Sequence, residues 1–342
     1  MTLTNAKLSE LLAAAGAEAD GHRRKAYERA AAAALGWDEE ASEILASGRS
    51  LTELPAIGAG LAARLEEWIE EEREPPPPPA ARRGFLTRAE VRRILVDHPF
   101  ADAPAADLQM HTVYSDGKAT VAAMAEAASA LGRSLIAVTD HSTGQPVPRG
   151  MTAEESLRQN REVVEVNEEL ARTGEEFRVV RGIEMNLSPS GEPALDAEER
   201  RQYPWVIGSF HSSLRGTSDQ TARYLSALRS GSFHVLGHPT CRRFGRRPGL
   251  QAEWEKVFEA AAESGVAVEI NAHPHRQDLP VELAEIAVAA GCMFSLGTDA
   301  HSTGELAFFD FGLAIAVAAG VPEERIINFV PAERFVELVG AA

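Results

Sequence analysis

The segments Asp107-Leu-Gln-Met-His-Thr-Val-Tyr-Ser-Asp-Gly117 and Gly297-Thr-Asp-Ala-His-Ser302 decide the fold. In each, a short apolar run ends in ligand-type side chains: His111 and Asp116 in the first, Asp299 and His301 in the second. The same arrangement recurs in Val138-Thr-Asp-His-Ser142, Gly182-Ile-Glu-Met185, Gly208-Ser-Phe-His-Ser212 and Gly237-His-Pro239. These supply His141, Glu184, His211 and His238. An apolar run that ends in an imidazole or carboxylate reads as a buried strand delivering a side chain to a rim. Several such runs ending at one rim describe a barrel with a polynuclear metal site in its mouth.

Working outward, strand-like and helix-like segments alternate from residue 108 on. The strand-like runs are 108–111, 135–139, 177–184, 206–210, 233–237, 266–270 and 293–297. Thr87-Arg-Ala-Glu90 and Thr152-Ala-Glu-Glu155 have the form of capping boxes and predict helix starts. Further helices are expected from Thr120 and near 220–228. Strands alternating with helices of ten or more residues mean βα units and a parallel sheet. Seven units are present, with a ligand-type residue after six of them, which suits a closed ring. A doubly wound open sheet is the alternative.

The front of the chain is different. Residues 1–73 are rich in Ala, Leu, Glu and Arg and read as all helix. Glu74-Pro-Pro-Pro-Pro-Pro79 cannot continue a helix and favours stiff polyproline II. The expected organisation is a helical domain at 1–73, a proline-rich linker and short helix at 74–103, and the barrel at 104–342. A surface loop within one domain is the other reading of the prolines.

Composition sets bounds. The 342 residues suffice for one large barrel and a small domain, and 44% are hydrophobic. The formal net charge of −17 excludes a chain coated with basic residues for nucleic acid. Two distant cysteines, Cys241 and Cys292, argue against a disulfide framework and for a reducing cytoplasm. The start carries no signal-peptide pattern, and no stretch approaches the ~20 apolar residues of a membrane span.

No cysteine stands among the candidate ligands. Imidazole with carboxylate suits Zn, Mn or Fe. Eight ligands exceed what one ion needs, so two or three divalent ions are expected, with Glu184 able to bridge two. Such a cluster activates water near neutral pH and holds both oxygens of an in-line phosphoryl displacement. His22, His98 and His234 lack this context, and Asp140 reads as an orienting group. Directly after His238, Cys241-Arg-Arg-Phe-Gly-Arg-Arg-Pro248 carries Arg242, Arg243, Arg246 and Arg247. With Arg149, Arg215 and Arg276 after other strands, they are candidates to clamp phosphate oxygens. The catalytic set is expected to be Asp299, His238 and Arg243. An ordinary solvated loop is the other reading of the arginine run.

These motifs resemble the polymerase and histidinol phosphatase (PHP) family over roughly residues 104–340. Gln109-Met-His111 stands where that family usually has His-x-His, as in the PHP domains of bacterial family X DNA polymerases. Gly237-His-Pro-Thr240 and Glu269-Ile-Asn271 are similar to that subgroup too. The resemblance implies a (β/α)7 TIM-like barrel, an α/β fold, holding up to three metals. His111, Glu184 and Asp299, with Gln109, would serve the first; Glu184, His211 and His238 the second; Asp116, His141 and His301 the third.

Leu51-Thr-Glu-Leu-Pro-Ala-Ile-Gly-Ala-Gly-Leu-Ala62 resembles a helix-hairpin-helix, with Ala56 in place of the first hairpin glycine. The resemblance implies that backbone N–H groups at Ile57, Gly58 and Gly60 hold a DNA phosphate. Arg23, Arg24, Lys25 and Arg29 would assist; a solvated helix face and a packing role are the alternatives. About 30 residues separate Arg73 from Ala103, too few for a polymerase palm. The implied function is a metal-dependent phosphoesterase acting on DNA ends, as 3′-5′ exonuclease or 3′-phosphatase. The alternatives are a histidinol-phosphatase-like phosphomonoesterase and a non-enzymatic DNA-binding scaffold. Partners are DNA ends or another phosphate-bearing substrate, with no membrane; oligomeric state is not legible.

Overall fold

The structure, a computed structural model, describes residues 3–96, 100, 104–142 and 149–340. His98 lies outside the described residues. The chain divides into two compact units: Met1–His98 with Phe244–Pro248, and Pro99–Arg243 with Gly249–Ala342.

In the first unit, α1 (Asn5–Glu18), α2 (Gly21–Ala33), α3 (Ala41–Ala46) and α4 (Ala59–Glu70) bury Leu8, Leu12, Trp37, Leu51 and Leu65. A fifth helix, α5 (Arg88–Leu95), opens on the expected capping box of Thr87 and Glu90. The proline stretch is grouped with the helices in the first unit. Lys7 pairs with Glu74 at 2.8 Å, Arg82 with Glu10 at 3.0 Å and Arg93 with Glu40 at 3.0 Å, tying 74–96 back to the helices. The 244–248 segment joins them: Phe244 meets Phe85 edge-on at 5.1 Å, and Gly245 N–H donates to Ala81 O.

The second unit alternates as the apolar runs require: β1 (Ala106–Asp107), α6 (Val121–Ala130), β2 (Leu135–Val138), α7 (Ala153–Thr173), β3 (Arg178–Leu187), α8 (Ala197–Arg200), β4 (Trp205–Phe210), α9 (Thr221–Arg229), β5 (Val235–Leu236), α10 (Trp254–Glu263), β6 (Ala267–Asn271), α11 (Val281–Ala289) and β7 (Phe294–Gly297), then α12 (Phe309–Ala318) and α13 (Ala332–Val339). All adjacent strands pair in parallel, in the order β1 to β7. Met110 bridges Ala300, and Leu108 N–H donates to Leu296 O, so β1 meets β7 and the ring closes. The open-sheet alternative is therefore set aside for a seven-stranded α/β barrel. Asn328 locks the seam: its Oδ1 accepts from Leu296 N–H, and its Nδ2 donates to Ala106 O and Leu296 O. Inward side chains of alternate strand positions, among them Leu108, Leu135, Val180, Ile207 and Val235, fill the interior with Phe335 of α13. A packed interior leaves the C-terminal rim as the place for chemistry. Among the described residues no helix is long and apolar enough to cross a membrane.

Candidate metal centre

Each ligand stands where its strand ends. Glu184 lies in β3, fully buried, and His141 bridges to it in parallel from just beyond β2. The 111–116 turn is folded over Asp140, whose carboxylate accepts from Thr112 N–H (2.8 Å), Thr112 Oγ1 (2.6 Å) and Ser115 Oγ (2.6 Å). Asp140 thus orients the turn that presents His111 and Asp116. A Cβ on Gly117 would stand 2.4 Å from the His111 carbonyl oxygen, so the turn requires glycine. His238 (φ 27°) and Asp299 (φ 54°) adopt left-handed backbone, a strain that recurs at functional sites.

Glu184 is the hub. Its Oε1 lies 2.9 Å from His238 Nε2 and 3.3 Å from His211 Nε2; its Oε2 lies 2.8 Å from His141 Nδ1 and 3.5 Å from His111 Nε2. Burial works to raise its pKa, but His141 and His211 hold the carboxyl well below the ordinary range. Asp116 Oδ1 faces His301 Nε2 (3.4 Å), His141 Nε2 (3.6 Å) and His111 Nδ1 (3.9 Å). Partial burial opposes them, yet these imidazoles hold Asp116 at about 2. Burial lowers His211 to about 4 against the pull of Glu184. His301 is the reverse: burial is outweighed by Asp116 and Asp299, which lift it to about 9.

Two sets of ligand atoms each lie within 4.8 Å of one another: His111, Asp116, His141 and His301, and His141, Glu184 and His211. Divalent cations fit both. His111 Nδ1, His211 Nε2 and Glu184 Oε2 are shut off from water without a hydrogen-bond partner. Leaving such atoms bare costs roughly 1–3 kcal/mol each. The remaining ring nitrogens are occupied in the way metal-binding histidines require. His301 Nδ1 donates to Asp299 O at 2.8 Å, and His211 Nδ1 faces Asn186 Oδ1 at 3.4 Å. The donors are nitrogen and oxygen; Cys241, buried beside His238, and the buried Cys292 belong to neither set.

The structure departs from several expectations. Among the described residues, neither set contains Asp299 or His238. The buried Gln109 amide lies against the Glu269 carboxylate, and the orientation that satisfies both groups turns its nitrogen to Glu269. Asp299 Oδ1 lies 3.1 Å from His111 Nε2; its Oδ2 lies 2.9 Å from Arg276 Nε and 3.2 Å from Asn271 Nδ2. His111 thus stands with the third-site residues as well as beside Asp299.

The candidate arginines differ in setting. Arg242 is buried, its pKa lowered by that burial to about 10, with Asp278 and Glu282 as the carboxylates acting on it. Arg246 and Arg247 fall in the helical unit's 244–248 segment. Arg149 is spent on the turn, donating to Tyr114 O and Ser115 O and pairing with Glu155. Arg243 is exposed on the rim, and Arg276 reaches the ligands. In the hairpin, Ala56 takes φ 67°, the conformation for which glycine is suited. Ile57 N–H donates to Leu54 O, which removes it as a phosphate donor. Exposed Gly58 and Gly60 keep N–H groups with no acceptor among the described residues.

Three residues lacked a role in the sequence reading. Glu269 Oε2 accepts the His238 N–H at 2.5 Å, and Asn271 Nδ2 spans Glu269 and Asp299. Both point inward from β6, and a charge inside an apolar strand is the signal that marks them. His273, pushed down to about 4 by burial and further by Arg276, accepts the His275 N–H on Nδ1 at 3.1 Å. Its Nε2 is therefore the protonated nitrogen, a neutral donor near Asp299 and Arg243.

A closed parallel barrel carrying buried nitrogen and oxygen ligands at its C-terminal rim defines a metal-dependent hydrolase of phosphoesters. The PHP domain family matches residues 107–273, and the chain belongs to it. It is 30% identical over 238 residues to a probable phosphatase of Photobacterium profundum, covering 65% of this chain and 88% of that protein. It is 33% identical over 223 residues to the DNA polymerase/3'-5' exonuclease PolX of Bacillus subtilis (strain 168), covering 65% of this chain but only 38% of that protein. The solved histidinol phosphate phosphatase of Lactococcus lactis subsp. lactis Il1403 matches with 17% identity and a TM-score of 0.45, over 63% of this chain and 94% of that one.

Proposed function

We propose that the protein hydrolyses phosphoester bonds at DNA ends, as a 3′-5′ exonuclease or 3′-phosphatase. The observation that carries this reading is the mouth itself. Two convergent ligand sets lie beside Arg276, Arg243 and the neutral donor His273, an array suited to a phosphate and its bridging oxygens. The stretch of 33% identity with the exonuclease-polymerase and the free N–H groups of Gly58 and Gly60 support a DNA substrate. Divalent cations bound here would supply Lewis acidity and a water activated near neutral pH. The chain's own residues do the rest. Glu184, His141 and His211 would hold one ion, and Asp116, His111 and His301 the other. His273 offers Nε2–H to a substrate oxygen, and Arg243 offers charge at the rim. Such pre-positioning contributes by orientation and by stabilising charge that develops on the phosphoryl group.

A second reading, a small-molecule phosphomonoesterase, is favoured by one observation. The probable phosphatase relatives match over about nine-tenths of their own length, all of it barrel-sized. Paired assays decide between them, with a recessed-3′ duplex carrying or lacking a 3′-phosphate against histidinol phosphate, and His141→Ala as control. Trimming or 3′-phosphate removal that disappears in the variant supports the DNA reading; turnover of histidinol phosphate alone replaces it with the second.

A further inference from the structure

We propose that this centre holds two metal ions per chain, with the Arg276 guanidinium standing as a built-in cation at the corner where a third would sit. The inference goes beyond the function proposed above and rests on the metal-dependence of that reading. Four observations carry it.

Gln109 occupies the position from which a third site would draw an imidazole, and its amide is already committed. Its end lies against the Glu269 carboxylate, and the amide orientation that satisfies both groups puts the nitrogen there. The side chain is fixed there, because it packs against Gly297, where any Cβ would come within 2.6 Å of Gln109 Cβ. Next, both oxygens of Asp299 are engaged. Oδ1 meets His111 Nε2 at 3.1 Å, and Oδ2 meets Arg276 Nε at 2.9 Å and Asn271 Nδ2 at 3.2 Å. Asn271 is in turn held near Glu269 Oε2 at 3.4 Å, so the pairing of Asp299 with Arg276 is braced from β6. Third, Glu184 and Asp299 both face His111 Nε2, at 3.5 and 3.1 Å, yet among the described residues no set of ligand atoms within 4.8 Å of one another includes Asp299.

Charge supplies the fourth argument. The Arg276 side chain is only 19% exposed, and Asp299, Glu184 and Asp278 are carboxylates that act on it. A guanidinium stays charged at any ordinary pH. It already neutralises the corner, and a divalent ion brought beside it would meet like-charge repulsion in a poorly solvated place. Unlike a metal, this cation is not removed by a chelator.

The test is metal stoichiometry, read by elemental mass spectrometry on protein saturated with Mn and then freed of excess ion. The wild type, the single variants Gln109→His and Arg276→Gln, and the double variant are compared. The wild type is expected to saturate at two ions per chain and the double variant at three. A wild-type count other than two overturns the proposal, as does a folded double variant that stays at two. Should the double variant not fold, the wild-type count decides alone. A count of zero would also remove the metal-dependent function, whereas a count of three leaves that function standing and removes only the role of Arg276.

Discussion

At the scale of single residues, Glu184 joins four imidazoles through two oxygens from a fully buried position. Glu184→Gln keeps the shape and removes the carboxylate charge of the set it forms with His141 and His211. Groups that merely support a ligand already change metal affinity by ~10–100-fold, so the expected loss exceeds ~100-fold. Mn titration calorimetry reads it; an unchanged affinity would remove Glu184 from the centre. Asp107 gives a pH signature. Burial, against hydrogen bonds from Thr298, raises its carboxyl to about 6 from an ordinary value of 3.8. The folded state binds this proton more tightly than the unfolded chain does. The resulting stabilisation is complete below pH about 4 and is lost as pH rises through about 6, a change of roughly 3 kcal/mol. Urea unfolding of metal-free Asp107→Asn from pH 4 to 7 should lack that decline. Profiles parallel to the wild type would contradict the assignment.

At the scale of elements, β7 must pass close to β1 for the ring to close, and Gly297 is where it does so. A Cβ there meets Gln109 Cβ at 2.6 Å and Glu269 Oε1 at 2.7 Å. Gly297→Ala should therefore destabilise by about 1–3 kcal/mol, visible as a lowered urea midpoint; a neutral result would mean that the seam relaxes. The seven strands were readable because each apolar run is bounded by turn residues and ends in a polar side chain. The capping boxes placed α5 and α7 to the residue. Parts that depend on distant partners were not readable. The arginine run after His238 looks like one rim loop, yet residues 244–248 belong with the helical unit through Phe85 and Ala81. The prolines look like a spacer, and only the pairing of Arg82 with Glu10 shows that they are held. Glu269 stood out as a charge within an apolar strand, but its role could not be read, because its partner, the His238 N–H, is 31 residues away.

At the scale of the molecule, the acidic excess is partly local: the ligand carboxylates are held ionised before any ion binds, by the imidazoles that would share a cation with them. Metal binding therefore couples to folding of the barrel. Ion supplied at 100 times its dissociation constant should stabilise the native state by about 2.7 kcal/mol. Chelation should lower the thermal midpoint reversibly, as calorimetry with and without Mn will show; an unmoved midpoint would mean that the ligand sets stay bare. The account's central claim is that the barrel mouth is a metal-dependent phosphoesterase. Its most direct test is hydrolysis of bis(p-nitrophenyl) phosphate by metal-stripped, Mn-reloaded and His141→Ala protein, with metal content measured on the same samples. The account predicts activity that is absent after stripping, returns in proportion to bound Mn, and is abolished by the substitution. Hydrolysis that persists in the stripped protein, or that survives His141→Ala, would contradict it.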